Sequence, residues 1–467
     1  MNSRSIYERV YRRIIFPMLS GRPVGRRTAS YLRQAEAAEW WSESTLRQHQ
    51  LNELVRLTEF ALTHSPWYRD YANVVGRGHL EINTIEDLSR WPVIDRETVV
   101  NAGRRFFSET ITSYTSGATG GSTGQPMRFR FNADSAQRRA ATAYRGYNWA
   151  GAGFGAKTLA LWGTQFTNVG WKRRAHDWLA TTLKRQTTVS CFEFNEQSMA
   201  ACLDRMQRFR PHVIHAYTNP LFEFARYLRA TNQEPPRPRS IVVGAERLHD
   251  FQRSLIESTF HAPIFETYGC REFLLIGAEC DRHEGLHLSS DTLLVEILDE
   301  DGEPTPDGHV GNVVITDLTN LAMPLIRFAN GDRAVAGFGR CSCGRSLPVL
   351  KSVEGRVIDL IHLPDGQIIT GLVFPHLMKD YPRIKRFRVT QTAPWIIRLE
   401  VVADPPIDEA TRNDIERNIS QMAGPRLQIE WSPVDTIPLT RTGKHQVVIG
   451  LDAGHKPIRQ VDQAHIS

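Results

Sequence analysis

Cysteine is scarce in this chain, long hydrophobic runs are missing, and neither sign of charge is in large excess. Six cysteines in 467 residues are too few for the disulfide scaffold of a small secreted domain. No apolar run approaches the roughly 20 residues of a membrane-spanning helix, and no early one has the length of a signal-peptide core. With 57 Lys and Arg against 51 Asp and Glu, the net charge of +6 suits an anionic small molecule as well as nucleic acid. We therefore expect a cytoplasmic globular protein with a small-molecule ligand and no nucleic-acid partner.

The basic residues are densest near the beginning of the chain, where apolar residues are interspersed with them. A solvated helix face backed by a core-facing stripe is the favoured interpretation, and a helix lying on a membrane surface is the alternative. The residues concerned are Arg9, Arg12, Arg13, Arg22, Arg26 and Arg27, which flank Ile14, Ile15, Phe16 and Leu19.

The rest of the sequence predicts a two-domain α/β protein, because one hydrophobic core rarely serves 467 residues. Between 158 and 243, short apolar β-like runs alternate with helical segments, which indicates βαβ units. Beyond 286 the pattern becomes hairpin-like, and from 386 it reads strand, strand, helix, strand. We predict an N-terminal domain over 1–353, including a β subdomain, and a small C-terminal α+β domain over 354–467.

A loop rich in glycine and hydroxyl residues covers 115–126, with the sequence TSGATGGSTGQP. Glycine permits backbone turns that point successive N–H groups inward, and Ser and Thr hydroxyls add donors for phosphate oxygens. By itself such a loop is more often a plain turn. No Gly-Lys-Ser/Thr follows it, which disfavours a P-loop phosphotransferase.

Further motifs follow this loop in a fixed order. Together they resemble the adenylate-forming superfamily of acyl-CoA synthetases, luciferases and peptide-synthetase adenylation domains, and within it the phenylacetate-CoA ligase branch and its capsule-biosynthesis relatives. The resemblance covers about 51–444 and rests on Gly244-Ala245-Glu246, Thr267-Tyr268-Gly269-Cys270-Arg271-Glu272, Arg327-Phe328-Ala329-Asn330-Gly331-Asp332, Gly355-Arg356 and Pro438-Leu439-Thr440-Arg441-Thr442-Gly443-Lys444.

The resemblance implies the adenylate-forming two-domain fold, in which the C-terminal domain is a mobile lid, and an ATP-dependent, AMP-forming ligase. A carboxylic acid would react with MgATP to give an acyl-adenylate and pyrophosphate, and the acyl group would pass to a thiol, most often that of coenzyme A. Two alternatives stay open. The acceptor could be an amine or a hydroxyl, in capsule or natural-product biosynthesis, or the chain could be a non-catalytic, zinc-containing nucleotide-binding scaffold. Neither the acid nor the oligomeric state is indicated.

The resemblance also implies roles for individual residues in binding the nucleotide. Tyr268 would lie against the adenine, between Thr267 and Gly269, and Asp332 would accept the ribose hydroxyls, for which a carboxylate with two acceptor oxygens is suited. Gly244 and Glu246 would line the adenine and acyl pockets. The β- and γ-phosphates would be held by Thr119, Gly120, Ser122, Thr123 and Gly124.

Three residues are implied in catalysis by the same resemblance. Glu272 would be the Mg²⁺ ligand, because Mg²⁺ prefers hard oxygen ligands shared with substrate phosphates. Lys444 would bridge the substrate carboxylate and the α-phosphate, where a flexible ammonium can follow the developing charge. Arg356 would contact the nucleotide from the hinge between the domains.

A second site is predicted from the cysteines. Cys280, His287, Cys341 and Cys343 supply three thiols and an imidazole, which is a complete tetrahedral set for zinc, and the phenylacetate-CoA ligase branch has the same set. His283 is the competing ligand to His287. Because four protein ligands leave no position for water, this zinc would be structural. Cys191 and Cys202 are expected to pack in the core, and Cys270 is placed where it could line the acyl pocket.

Overall fold

The computed structural model describes residues 6–19, 22–118, 127–162, 182–190, 196–356, 360–365, 368–370, 373–378, 381, 383–438 and 447–451. These residues divide into two compact units, and the division falls between Glu354 and Gly355. We call the described residues before the division the N-terminal unit and those after it the C-terminal unit.

The N-terminal unit begins with helices and continues as alternating strands and helices. Its α-helices are α1 (Ile6–Val10), α2 (Phe16–Leu19), α3 (Arg22–Ala38), α4 (Glu43–His64), α5 (Pro66–Val75), α6 (Arg96–Ala102), α7 (Ala133–Trp149), α8 (Glu196–Phe209), α9 (Thr218–Ala230) and α10 (Asp250–Phe260). A π-helical turn, Tyr11–Ile15, joins α1 to α2, and single 3₁₀ turns cover Arg77–Leu80, Ile85–Arg90 and Gly103–Phe106. Among the described residues, no helix has both the length and the apolar character needed to cross a membrane.

The strands of this unit form a large sheet and two smaller ones. They are β1 (Tyr114–Ala118), β2 (Arg128–Asn132), β3 (Thr158–Trp162), β4 (Gln186–Ser190), β5 (Val213–Tyr217), β6 (Ser240–Gly244), β7 (Ile264–Tyr268), β8 (Gly277–Glu279), β9 (Leu286–Leu288), β10 (Leu293–Leu298), β11 (Val310–Asp317), β12 (Phe328–Val335), β13 (Phe338–Gly339), β14 (Val349–Leu350) and β15 (Val353–Arg356). The division between the units falls within β15.

The large sheet has the strand order β13-β14-β9-β8-β7-β6-β5-β3-β4. The strands from β7 to β4 pair in parallel, and those from β8 to β13 extend the sheet in antiparallel fashion. All five residues of β6 are buried, which is typical of a parallel strand covered by helices on both faces. A second sheet has the order β10-β11-β12-β15, and β1 pairs with β2 as a separate hairpin.

The two largest apolar cores among the described residues of this unit lie on different sheets. One packs α8, α9 and α10 against the parallel strands and includes Leu161, Ile214, Val243 and Phe260. The other joins α4 and α5 to the second sheet, with Leu57, Tyr68, Trp91, Ile315 and Phe328 in its centre. Helix α4 ends at His64 and α5 starts at Pro66, because proline fits the first turn of a helix and breaks a helix interior.

The C-terminal unit has its own core and its own sheets. Its strands are β16 (Leu360–His362), β17 (Ile368–Thr370), β18 (Ile384–Ala393), β19 (Ile396–Ala403), β20 (Gln428–Pro433) and β21 (Val448–Ile449), and its helices are α11 (Val373–Met378) and α12 (Glu409–Ala423). The four-stranded sheet has the order β20-β19-β18-β21. Ile415 and Ile419 of α12 pack against Val389, Ile397 and Leu399 of this sheet.

Candidate active site and metal centre

The candidate active site begins where the parallel strands of the large sheet end. β6 ends at Gly244 and β7 at Tyr268, and ligands of open α/β sheets bind at the carboxyl ends of such strands. The two strand ends are in close contact, because a Cβ atom at Gly244 would stand only 2.5 Å from Thr267 Oγ1. The Thr267 hydroxyl donates to the carbonyl of Val243 at 2.7 Å. A side chain at position 244 would therefore push these two strand ends apart.

The turn after β7 depends on a second glycine. A Cβ atom at Gly269 would lie 1.9 Å from the backbone oxygen of Leu274, a distance no real contact reaches. The chain reverses here because the amide of Leu274 donates to the carbonyl of Cys270 at 2.7 Å. Glycine at 269 thus lets the residues from Cys270 to Glu272 follow Tyr268 in a tight turn.

Tyr268 and Asp332, which are 64 positions apart in sequence, form a direct hydrogen bond. The Tyr268 hydroxyl donates to Asp332 Oδ2 at 2.8 Å, and both side chains are buried. Burial, with the nearby Asp332 carboxylate as the second cause, raises the pKa of Tyr268 well above its usual value. The phenol therefore stays protonated and keeps its role as donor.

Asn330 connects these two side chains, and sequence reasoning did not select it. Its Nδ2 atom donates to the Tyr268 hydroxyl oxygen and to Asp332 Oδ2, both at 2.8 Å. Its Oδ1 atom accepts from the amide of Asp332 at 3.0 Å, which is the local bond of an Asx turn. The Asn-Gly-Asp sequence at 330–332 was a signal for that turn, although it did not indicate the contact with Tyr268. We call Tyr268, Asn330 and Asp332 the tyrosine cluster.

The turn that follows Tyr268 contacts the strand leading to the glycine-rich loop. Arg271 Nη1 donates to the carbonyl of Ala118 at 2.9 Å, and Ala118 is the last residue of β1. Glu272 lies next to Arg271 and is partly buried. Burial, followed by the charges of Glu272 and Asp332, raises the pKa of Cys270 well above its usual value, so this thiol is held in its protonated form.

A buried arginine that sequence reasoning missed lies behind this turn. Arg139 of α7 is 5% exposed and its Nε donates to the carbonyl of Phe273 at 3.4 Å. Its Nη2 atom has no hydrogen-bond partner within the described part of the chain. Burial lowers the pKa of this guanidinium, and Asp317, Cys270 and Glu272 oppose that effect. No local pattern singles out Arg139, because it stands among other polar residues of an amphipathic helix.

The Gly244-Ala245-Glu246 segment is tied to the helix that follows β5. Glu246 Oε2 accepts from the amide of Asn219 at 2.8 Å, and the Glu246 carbonyl accepts from the Thr218 hydroxyl at 3.0 Å. The Glu246 carboxylate therefore supports the beginning of α9, where backbone amides need acceptors. Next along the chain, Arg247 Nη1 donates to Glu354 Oε2 at 2.5 Å, immediately before the division between the units.

Several residues predicted from the sequence lie outside the described residues. These are Thr119, Gly120, Ser122, Thr123, Gly124, Lys444 and Cys191. Arg356 is the last residue of β15, and only its backbone is described. Gly355, the first residue of the C-terminal unit, has a φ angle of +106°, which favours glycine strongly over other residues.

The predicted zinc ligands come together at one end of the large sheet. Cys280 Sγ lies 3.6 Å from Cys341 Sγ, and Cys343 Sγ lies 3.4 Å from His287 Nε2. All four potential ligand atoms are within 4.8 Å of one another. Ligand atoms around a tetrahedral zinc ion stand about 3.6 Å apart, because Zn–S and Zn–N bonds are about 2.3 and 2.1 Å long. The four side chains therefore fit a zinc ion, and we call them the thiol cluster.

Neighbouring groups orient these side chains. His287 Nδ1 lies 3.3 Å from the carbonyl of Leu347, so a proton on Nδ1 can be donated there while Nε2 faces Cys343. Backbone amides donate to all three sulfur atoms at 3.4 to 3.5 Å, as thiolate ligands require. Burial lowers the pKa of His287 to about 4, which keeps the imidazole neutral. His283 lies elsewhere, with Nδ1 3.2 Å from Glu279 Oε2.

Comparisons with known proteins agree with this architecture. A sequence model of the CapK C-terminal domain matches residues 361–450. The chain is 29% identical over 275 residues to a phenylacetate-coenzyme A ligase of Thermus thermophilus, which covers 53% of this chain and 62% of that protein. It is 22% identical over 315 residues to Protein CapK of Staphylococcus aureus, covering 65% of this chain and 66% of that protein. The aligned part is thus less than two thirds of the length of either relative.

A solved structure with the same fold is that of 2-hydroxyisobutyryl-CoA ligase. In its postadenylation state, in complex with R3-HIB-AMP, it superposes with a TM-score of 0.69 at 17% identity, covering 88% of this chain and 90% of that one. The same ligase with 2-HIB-AMP and CoA, in the thioesterification state, gives a TM-score of 0.59 at 18% identity, covering 88% and 91%. The chain thus shares the fold of an adenylate-forming CoA ligase, and in sequence it is similar to phenylacetate-coenzyme A ligases and to Protein CapK.

Proposed function

We propose that this protein is an ATP-dependent carboxylate ligase that activates an acid as its acyl-adenylate and then transfers the acyl group to coenzyme A. The observation that carries the proposal is the tyrosine cluster, which joins the motif that contains Glu272 to the motif that ends in Asp332. The bond from Arg271 to Ala118 adds the strand that leads to the glycine-rich loop. Relatives named phenylacetate-coenzyme A ligase and the CoA complex of the structural neighbour support the choice of acceptor.

The first step needs a site for a crowded polyanion. A carboxylate oxygen of the acid attacks the α-phosphorus of ATP, and the bond from that phosphorus to the oxygen bridging to the β-phosphate breaks, which releases pyrophosphate. We assign Asp332 to the ribose hydroxyls, since its carboxylate is oriented by Tyr268 and Asn330. The Tyr268 ring is assigned to the adenine, beside Thr267 and Gly269.

Cations and amides would stabilise the charge that develops in this step. Glu272 is the proposed ligand of Mg²⁺, which would neutralise phosphate charge when bound. The loop residues Thr119, Gly120, Ser122, Thr123 and Gly124 would hold the β- and γ-phosphates through backbone amides and hydroxyls. Lys444 would supply a cation between the acid and the α-phosphate.

In the second step the thiol gives up its proton to solvent and its sulfur attacks the acyl carbon, the bond from this carbon to the phosphate oxygen breaks, and AMP leaves. We propose that the C-terminal unit acts as a lid that brings Lys444 to the first step and Arg356 to the nucleotide. Gly355, with its positive φ angle, is suited to a hinge because glycine tolerates backbone conformations that other residues rarely adopt.

We also propose that the thiol cluster binds a structural zinc ion through Cys280, His287, Cys341 and Cys343. Four protein ligands complete a tetrahedral zinc shell, so this ion would not take part in the reaction. It would fix β8 and β9 against the 341–343 loop, since the cluster joins residues 61 positions apart.

Pyrophosphate release is the experiment that tests the activity. The purified protein is incubated with MgATP and a panel of aryl and fatty acids, with and without coenzyme A, beside Lys444→Ala. We expect acid-dependent release that falls by at least about 100-fold in the variant, because a cation acting only on the transition state is lost. Pyrophosphate release that does not depend on the acid, or that is unchanged in Lys444→Ala, would contradict the proposal.

The acceptor is tested in the same assay. Acyl-CoA should accumulate when coenzyme A is added, whereas amines and alcohols at equal concentration should give no new product. If an amide or ester forms instead, adenylation stands and the assignment of coenzyme A is wrong.

A further inference from the structure

The outer face of the N-terminal helical segment, Ile6–Leu19, exposes four large apolar side chains. Ile6, Val10, Ile14 and Met18 are 75, 39, 55 and 62% exposed. They are four of the ten large hydrophobic side chains that are exposed among the described residues, and the other six are scattered. Single exposed apolar residues are normal on a protein surface, but a contiguous row of them marks an interaction site.

The opposite face of this segment is packed, which fixes the exposed face toward the outside. Tyr11 is buried against Phe154 and Leu32, with Phe16 and Ile15 beside it. The Tyr7 hydroxyl donates to the carbonyl of Leu183 at 2.5 Å. The segment is therefore anchored by its aromatic side, and the apolar row on the other side is not available to the core.

A π-helical turn keeps the four exposed residues in one row. In a regular α-helix residues four apart are rotated by about 40°, so a row at 6, 10, 14 and 18 would wind around the helix. The wider turn at Tyr11–Ile15 rotates the chain back, because its hydrogen bonds span five residues. The row therefore stays on the outer face over three turns.

Exposed arginines flank this row. Arg9 and Arg13 are exposed and stand next in sequence to Val10 and Ile14 of the row, while Arg12, which is mostly buried, pairs with Glu36 at 2.6 Å. Residues 1–33 contain eight arginines and one glutamate, a net charge of +7, although the whole chain carries only +6. The remainder of the chain therefore has a net charge of −1, and all of the protein's excess positive charge belongs to this end.

We propose that the outer face of Ile6–Leu19 binds peripherally to the surface of an anionic lipid bilayer. Apolar side chains that alternate with arginines match the interface, where the former enter the acyl boundary and the latter meet lipid phosphates. A second copy of this chain is the less suitable occupant, because a two-fold contact through this row would set Arg9 and Arg13 against the same arginines of the other copy. The proposed binding does not depend on the ligase activity.

Co-sedimentation of the 467-residue chain with vesicles tests this proposal. Vesicles of phosphatidylcholine with one quarter phosphatidylglycerol should bind the protein, and vesicles of phosphatidylcholine alone should not. Ile14→Asp combined with Met18→Asp should weaken binding at least tenfold, because the apolar contact is lost. Arg9→Gln combined with Arg13→Gln should weaken it on the order of 30-fold, since each arginine near an anionic surface is worth about a factor of five.

Matched variants distinguish vesicle binding through this surface from nonspecific electrostatic or hydrophobic binding. Val74→Asp changes another exposed apolar residue, and Arg205→Gln with Arg208→Gln removes two exposed arginines of α8; both should bind like the wild type. Unchanged thermal midpoints of all variants establish that each is folded. Equal binding to both vesicle types, equal loss in the matched variants, or a dimer in sedimentation that Ile14→Asp dissociates without any vesicle binding would each overturn the proposal.

Discussion

The thiol cluster and the tyrosine cluster are built from the same two stretches of chain, but the proposed role of the first is structural and that of the second is nucleotide binding. Cys280 and Cys341 are 61 positions apart, and Tyr268 and Asp332 are 64 apart. Both clusters therefore depend on one strand arrangement, in which the 264–288 strands lie near the 328–350 strands. In the thiol cluster all four side chains point at one another, whereas in the tyrosine cluster Asp332 is held by its neighbours in an orientation suited to a ligand.

This difference separates stability from activity. A closed set of ligands gains its energy from metal binding, which is also folding energy. In the proposed function, the orientation of the Asp332 carboxylate serves the binding of a nucleotide and adds little to the stability of the fold. Variants of the thiol cluster should therefore change the unfolding free energy, and variants of the tyrosine cluster should change kinetics.

The largest effect is expected from Cys341→Ser. Loss of one thiolate should reduce zinc from about one ion per chain to near zero and lower the unfolding free energy by about 3 kcal/mol or more, because the metal links distant segments. Metal analysis and denaturant unfolding measure both. Cys202→Ser, at a cysteine that is also buried but packs in an apolar core, should keep the metal of the thiol cluster. If Cys341→Ser also keeps it, the thiol cluster is not a zinc site.

Asp332→Asn should come next and act on catalysis alone. The amide cannot accept two ribose hydroxyls as the carboxylate can, and charge-assisted hydrogen bonds are worth about 1.5–3 kcal/mol each. We expect kcat/KM for ATP to fall about 100-fold with zinc content and thermal midpoint unchanged. Asp204→Asn on the exposed face of α8 is the control, and a similar loss in both variants would mean that Asp332 has no special role.

A buried histidine in the parallel sheet that supports both clusters should make the stability of the protein depend on pH. Burial lowers the pKa of His215, in β5, to about 4, below its unfolded value near 6.5. As the pH falls, His215 therefore binds a proton in the unfolded chain before it does so in the folded protein. Its contribution to the unfolding free energy is fully present above pH 6.5 and is lost as the pH falls toward 4. Between pH 7.5 and 5 the wild type should lose up to about 2 kcal/mol more than His215→Gln. Equal losses would show that His215 does not set the acid limit.

Asn330→Ala should have the smallest effect of these substitutions. It removes two donated hydrogen bonds from the tyrosine cluster without touching the charge of Asp332. We expect kcat/KM to fall about tenfold, which corresponds to about 1.4 kcal/mol, and zinc content to stay constant. An effect as large as that of Asp332→Asn would mean that Asn330 itself contacts the substrate.

The sequence predicted most of the fold, because apolar periodicity and turn residues are local signals. The α/β class and the adenylate-forming architecture are confirmed by the strand order and by the structural neighbours. The alternation predicted between 158 and 243 is observed as β3 to β6 with α8 and α9, and the order strand, strand, helix, strand predicted from 386 is observed as β18, β19, α12 and β20. Local patterns did not predict the π-helical turn at Tyr11–Ile15. The favoured interpretation of the N-terminal stretch was a core-facing apolar stripe, which does not predict that the Ile14 side chain is exposed.

Less of the candidate site than of the fold could be predicted from the sequence, and the reason is physical. Cysteine and histidine are rare and have few structural uses, so the four members of the thiol cluster could be named together. Asn330 and Arg139 could not, because amides and guanidinium groups are common and their importance follows from burial and from partners far away in sequence. Choosing between His283 and His287 also required the strand geometry, which pairs His287 with Ala278 and Val349.

In the proposed reaction, an acyl-adenylate forms before the acceptor takes part. The direct measurement is the exchange of labelled pyrophosphate into ATP, with the purified protein, Mg²⁺ and each acid of the panel, in the absence of coenzyme A. Reversible adenylation predicts label in ATP only when a suitable acid is present, with exchange greatly reduced in Asp332→Asn. If ATP is consumed to ADP and phosphate, or if no acid of the panel supports exchange while acyl-CoA still forms, the account is wrong.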